Sequence, residues 1–179
     1  VPGWRLDRVI ALADDGLTAR YAIHNLGEAP APLLWAAHVL FPLEGLRQVA
    51  LHHDACAPGP GCESAELILR LREGRDAPRA DSITDIRRRG ASWKFFMPAD
   101  TPIELCYQDA TLSLSTDAAW WGIWLNEGNF CDLLCLGIEP TTASSDALAD
   151  SQMLVAPGEP ATAAWSLFVG LRPGSRHTE

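Results

Sequence analysis

The chain of 179 residues carries 23 acidic against 14 basic side chains, a formal net charge of -9, and 47% hydrophobic residues. That charge repels phosphate backbones and anionic lipid surfaces, and no apolar run approaches the ~20 residues of a membrane span, so neither nucleic acid nor a membrane is the expected partner. A chain of this length suits one domain, residues 1–179, with a substantial core, and its composition is that of a soluble globular protein.

The chain opens with a hairpin. Two runs rich in β-branched, aromatic and aliphatic residues, Arg5 to Ala13 and Leu17 to His24, flank the turn residues Asp14-Asp15-Gly16. Asn25-Leu26-Gly27 with Pro30 and Pro32 breaks the pattern, and Leu33 to Phe41 resumes as an apolar stretch, read as one buried strand closed by Pro42. Residues 55 to 64 and 73 to 90 show no sustained period and read as loops around a short element at Leu67 to Leu71. Strands then return as Trp93 to Met97, Ile103 to Tyr107, Thr111 to Ser115, Trp120 to Leu125, Leu133 to Ile138 and Thr162 to Leu171. Thr142 to Ser151 is the one stretch that reads as helical, with Ser144 or Ser145 as its cap. Many short strands and no helix long enough for a parallel crossover give an all-β sandwich.

The common nucleotide, hydrolase and zinc signatures are missing. The segment HHDACAPGPGC, with His52, His53, Cys56 and Cys62, offers metal-type ligands without zinc spacing, so no metal is expected. The five cysteines are an odd number and no charged-then-apolar leader opens the chain, which argues against a secreted disulfide scaffold and favours the cytoplasm, with the pairing of the cysteines left open. The run Arg87-Arg88-Arg89 is either a solvated loop or a contact for an anion such as a sugar phosphate.

Chemistry concentrates in WWGIWLNEGNFCDLLCLGIEPTTASSD, Trp120 to Asp146. A pyranose shows apolar C–H patches and a rim of hydroxyls, so its site wants a flat aromatic wall with fixed hydrogen-bond partners, and Trp124 and Asn126 suit those roles. The plainer reading of Trp120, Trp121 and Trp124 is alternation between core and surface on one strand. Glu139 follows an apolar strand, a setting either for proton transfer or for a strand-end carboxylate held by backbone N–H groups. With a period of two, Leu34, Ala36, His38 and Leu40 share one face while Trp35, Ala37, Val39 and Phe41 share the other. A lone histidine there is either a hydrogen-bonded core residue or a proton donor and acceptor near neutrality.

Two patches, WAAHVLF at Trp35 to Phe41 and LGIEPTTASSDALADS at Leu136 to Ser151, resemble the aldose 1-epimerase or galactose mutarotase-like superfamily. The WKFF strand at Trp93 to Phe96, GIWLNEG at Gly122 to Gly128 and a PGE turn at Pro157 to Glu159 extend the resemblance from about Trp4 to Leu171. It implies a galactose mutarotase-like β-supersandwich, here apparently lacking the N-terminal strands of the family. It also implies interconversion of α and β anomers of an aldose without a cofactor, with Glu139 as general base, His38 as general acid, and Trp124, Asn126 and Lys94 near the sugar. The strands that carry a second histidine and an arginine in many members have no counterpart here. The alternatives are a catalytically inactive carbohydrate-binding or assembly module of the same fold, and a hexose-phosphate epimerase relative using Lys94 and the Arg87 to Arg89 run. Exposed strand edges would let a second copy complete the sheets, giving a homo-oligomer.

Overall fold

The structure is a computed structural model that describes residues 3–51, 57–58, 92–127, 134–151, 153–158 and 163–173. The expected hairpin forms from β1 (Trp4–Ala13) and β2 (Gly16–Asn25), paired from Trp4 with Asn25 to Ala13 with Gly16, which leaves a two-residue turn. Gly16 is required by close approach: a Cβ there would lie 2.3 Å from the carbonyl oxygen of Val169 in the last strand.

Next come β3 (Ala31–Pro32), β4 (Val39–Pro42), β5 (Leu46–Leu51) and β6 (Ala57–Pro58). They are followed by β7 (Ser92–Pro98), β8 (Ile103–Tyr107), β9 (Ala110–Thr116), β10 (Trp120–Glu127) and β11 (Leu134–Thr141). β12 (Leu154–Val155) and β13 (Ala163–Pro173) complete the set. Six strands form one sheet in the order β1-β2-β13-β9-β8-β5, five form a second in the order β4-β11-β10-β7-β6, and β12 pairs with β3. All strand pairs are antiparallel.

Alternation along the strands builds the core between the two sheets. Ala19, Tyr21 and Ile23 of β2 and Trp165 and Leu167 of β13 meet Trp121, Ile123 and Leu125 of β10 and Leu136 and Ile138 of β11. Trp35 stacks on Trp165 with ring centroids 4.8 Å apart and meets Tyr21 at 5.0 Å, so it fastens the segment before β4 to the opposite sheet.

Three sequence expectations change. Leu33 to Phe41 is not one continuous strand: its alternation holds, with Trp35, Ala37 and Phe41 buried, but regular pairing begins only at Val39. Thr142 to Ser151 forms bends and a single 3-10 turn at Leu148–Asp150 rather than a helix. There Ser145 Oγ accepts the Ala147 N–H at 3.0 Å, a local side-chain turn that competes with a helical first turn. Strand β5 has no counterpart in the sequence reading, because Arg47 and Gln48 and a register shift between Leu46 and Gln48 blur its period of two. The residues 55 to 64 and 73 to 90 and the Leu67 to Leu71 element lie outside the described residues, apart from β6, which pairs with β7. Among the described residues no helix is long and apolar enough to cross a membrane.

Candidate functional site

The site lies on the face of the five-stranded sheet that points away from the core. Register assembles it. β10 pairs Gly122 with Glu139 on one side and with Phe96 on the other, and Trp124 with Gly137 and Lys94. β4 pairs Val39 with Ile138, and beyond it Ala36 bridges Thr141, so the same register sets His38 opposite Glu139. Four chain segments distant in sequence therefore bring His38, Glu139, Trp124 and Lys94 onto one patch of sheet.

Pro140 explains why the backbone puckers at His38. Residues 37 and 140 face each other in this register, and an unbroken ladder would exchange two hydrogen bonds between them. One is present, from Ala37 N–H to the Pro140 carbonyl at 3.0 Å. Proline has no N–H to return the second, and the Ala37 carbonyl instead accepts from Val39 N–H at 3.1 Å. The tight turn Ala37-His38-Val39 lifts the imidazole at the sheet edge, where His38 is 53% exposed.

Glu139 lies inside β11 rather than at a strand end, and its side chain is only 3% exposed. One carboxylate oxygen, Oε1, lies 2.5 Å from His38 Nδ1, and the other, Oε2, accepts from Lys94 Nζ at 2.9 Å. An ionised carboxylate only accepts, so Nδ1 is the donor in this contact. Lys94 Nζ also reaches Asp146 Oδ1 at 2.7 Å and sits over the Phe96 ring, 5.3 Å from its centroid. Burial disfavours the Lys94 ammonium, yet hydrogen bonds to Asp146 and Glu139 and their negative charge together raise its pKa above the ordinary lysine value. Glycine makes room for the carboxylate on both flanks. A Cβ at Gly137 would lie 3.3 Å from Glu139 Oε1 and from Trp124 Cβ, and one at Gly122 would lie 3.4 Å from Glu139 Oε2.

The residues expected from the sequence fall into two groups. His38, Glu139, Lys94 and Trp124 come together, with the Trp124 ring 5.1 Å from the His38 ring and tilted by 38°. Trp121 belongs to the core, fully buried, so the tryptophan run supplies both the wall and the interior. Asn126 lies on the same face one row beyond Trp124, but it is fully buried and hydrogen bonded to Cys135. Burial pushes the Cys135 thiol up, against that hydrogen bond. Asp146 is the residue the sequence reading missed; its one signal is a carboxylate in the loop that follows the Glu-Pro pair.

His24, given no role from sequence, is buried on the other sheet beside Asp7, 2.9 Å away. Cys106 and Cys135 are free thiols, and no group of three or more metal-ligating side chains occurs among the described residues. His52, His53, Cys56, Cys62 and Arg87 to Arg89 lie outside them.

No family model and no curated protein sequence matches the chain. Solved structures do. A putative aldose 1-epimerase from Escherichia coli K12 superposes with a TM-score of 0.59 at 14% identity, covering 96% of this chain and 61% of that one. A galactose mutarotase-like protein from Clostridium acetobutylicum gives 0.61 at 16% identity, covering 96% and 56%. Galactose 1-epimerase from Lactobacillus acidophilus NCFM gives 0.57 at 12% identity, covering 96% and 67%. The chain thus has the galactose mutarotase-like all-β fold and spans 56–67% of the length of these three structures.

Proposed function

On this galactose mutarotase-like fold, we propose that His38 and Glu139 are the proton-transfer pair of an aldose mutarotase. The observation that carries the reading is their direct contact, at 2.5 Å, beside the aromatic face of Trp124. Opening a cyclic hemiacetal needs a base at the anomeric hydroxyl and an acid at the ring oxygen, and both atoms are bonded to one carbon. Acid and base must therefore be neighbours, as these two side chains are.

In this reading Glu139 takes the proton of the anomeric hydroxyl, while His38 as the imidazolium delivers one to the ring oxygen and is left neutral. The C1–O5 bond breaks, leaving an open-chain aldehyde and a C5 hydroxyl. Rotation about C1–C2 presents the other face of the aldehyde, and the reverse transfers close the ring as the second anomer. No net proton or electron is consumed. The exposed His38 has room to turn toward the ring oxygen, which frees Oε1 of Glu139 for the hydroxyl.

Lys94 keeps the buried carboxylate paired and Trp124 supplies the apolar wall. Because two carboxylates take up the Lys94 charge, this residue adds no weight to a phosphorylated substrate, and a neutral aldose is the better fit. A second reading, a carbohydrate-binding module without anomer exchange, draws on the near-complete burial of Glu139 and the engagement of both its oxygens. Replacing Glu139 by Gln separates the two: anomer exchange is lost under the first reading, whereas sugar binding survives under both.

A further inference from the structure

We propose that Asp146 is a positioning residue of this site, which sets how much of the Glu139 charge reaches His38 by holding the Lys94 ammonium between two carboxylates. The geometry is a string of four groups. His38 Nδ1 meets Oε1 of Glu139 at 2.5 Å, Oε2 meets Lys94 Nζ at 2.9 Å, and the same ammonium meets Asp146 Oδ1 at 2.7 Å. One cation thus serves two anions, with the shorter contact going to the outer one.

Exposure differs along the string in a way that matters. Glu139 is 3% exposed and Lys94 18%, but Asp146 is 50% exposed, so of the two carboxylates its charge is the one open to solvent, salt and ligand. A hydroxyl or cation that engaged Asp146 would let Lys94 settle more fully on Glu139. The carboxylate would then hold the His38 N–H less tightly.

The surroundings leave this string as the main charged influence on Glu139 among the described residues. From the segment just before β4 the facing titratable group is His38, and from β7 it is Lys94. β10 presents Gly122, Trp124 and Asn126, none of which titrates in the ordinary range, and β11 itself adds only the buried Cys135. From the loop after β11 comes Asp146.

The test uses two variants and two readouts on the full chain. The first readout is the downfield proton resonance of the His38–Glu139 hydrogen bond, which needs no activity and so stands apart from the mutarotase reading. Asp146→Asn removes the competing negative charge, so the ammonium is drawn more strongly to Glu139 and the resonance should move upfield. Lys94→Met leaves the carboxylate to His38 alone, and the resonance should move downfield. The second readout rests on the proposed anomer exchange: its acid limb should shift to lower pH in Asp146→Asn and to higher pH in Lys94→Met, each by roughly half a pH unit or more.

Opposed movements in the two variants support the proposal. A shift in the same direction in both, or an unmoved resonance in a folded Asp146→Asn, overturns it and leaves Asp146 as a loop anchor. If the resonance moves as expected while no anomer exchange occurs, the positioning role stands and the mutarotase reading falls. Should Lys94→Met not fold, Asp146→Asn alone decides, since an anchor role lowers stability without moving the resonance upfield.

Discussion

Replacing either member of the buried ion pair should destabilise the chain unequally, and the order follows from what each change leaves behind. Glu139→Gln keeps the volume of the side chain and removes its charge. Lys94 then retains Asp146, so no cation is stranded, and the loss is that of charge-assisted hydrogen bonds, about 1.5–3 kcal/mol. Lys94→Met instead leaves a carboxylate that is 3% exposed with His38 as its remaining partner among the described residues, which approaches the case of a buried charge deprived of its counter-ion, about 3–5 kcal/mol. Combining the two removes both charges from the interior, so the double variant should be less destabilised than the sum of the singles. Urea unfolding followed by tryptophan fluorescence at constant pH and salt measures all three. If Glu139→Gln proved as destabilising as Lys94→Met, or if the two effects simply added, the ion pair would not be organised as described.

Three further outcomes follow from the same geometry. Pro140→Ala restores an N–H opposite the Ala37 carbonyl and should straighten the turn at His38; anomer exchange falls by roughly 10²-fold while stability changes by no more than about 1 kcal/mol, and unchanged exchange would remove the role assigned to Pro140. Gly137→Ala places a methyl 3.3 Å from Glu139 Oε1 and from Trp124 Cβ; displacing the carboxylate should cost about 1–3 kcal/mol and weaken the His38 contact, read from the His38 imidazole chemical shifts. Because the folded chain raises Lys94 above its ordinary value of 10.5, the stability this group contributes is present below that pH and is lost as pH rises through the folded value. Urea midpoints of the unaltered chain should therefore fall more steeply above about pH 10.5 than those of Lys94→Met, and parallel curves would contradict the assignment.

Much of the architecture is legible in the residues. The hairpin around Asp14-Asp15 and the run of strands from β7 to β11 follow from β-branched and aromatic segments cut by turn residues. Alternation and position leave His38 and Glu139 open between structural and proton-transfer roles; what singles them out is the resemblance of Trp35 to Phe41 and Leu136 to Ser151 to the aldose 1-epimerase-like superfamily. Their contact is a property of register between β4 and β11, which no local pattern reveals.

The same limit explains why Lys94 reads as a sugar contact in the sequence and as a partner of Glu139 and Asp146 in the fold. Residues 94, 139 and 146 are joined only once β7, β10 and β11 lie side by side. The proline that looks like a strand end works within the strand, because its missing N–H faces the edge segment carrying His38 rather than β10. Asn126 shows the converse: a polar side chain suited to a sugar hydroxyl by type is enclosed beside Cys135.

Anomer exchange measured by saturation-transfer NMR on neutral aldoses tests the central claim most directly, with the unaltered chain and Glu139→Gln compared at equal folded concentration. Acceleration by the unaltered chain that falls by roughly 10² to 10⁴ in Glu139→Gln is the result expected of a base in direct contact with its acid partner. No acceleration by a folded chain, or acceleration that Glu139→Gln leaves intact, would contradict the assignment of His38 and Glu139 as the proton-transfer pair.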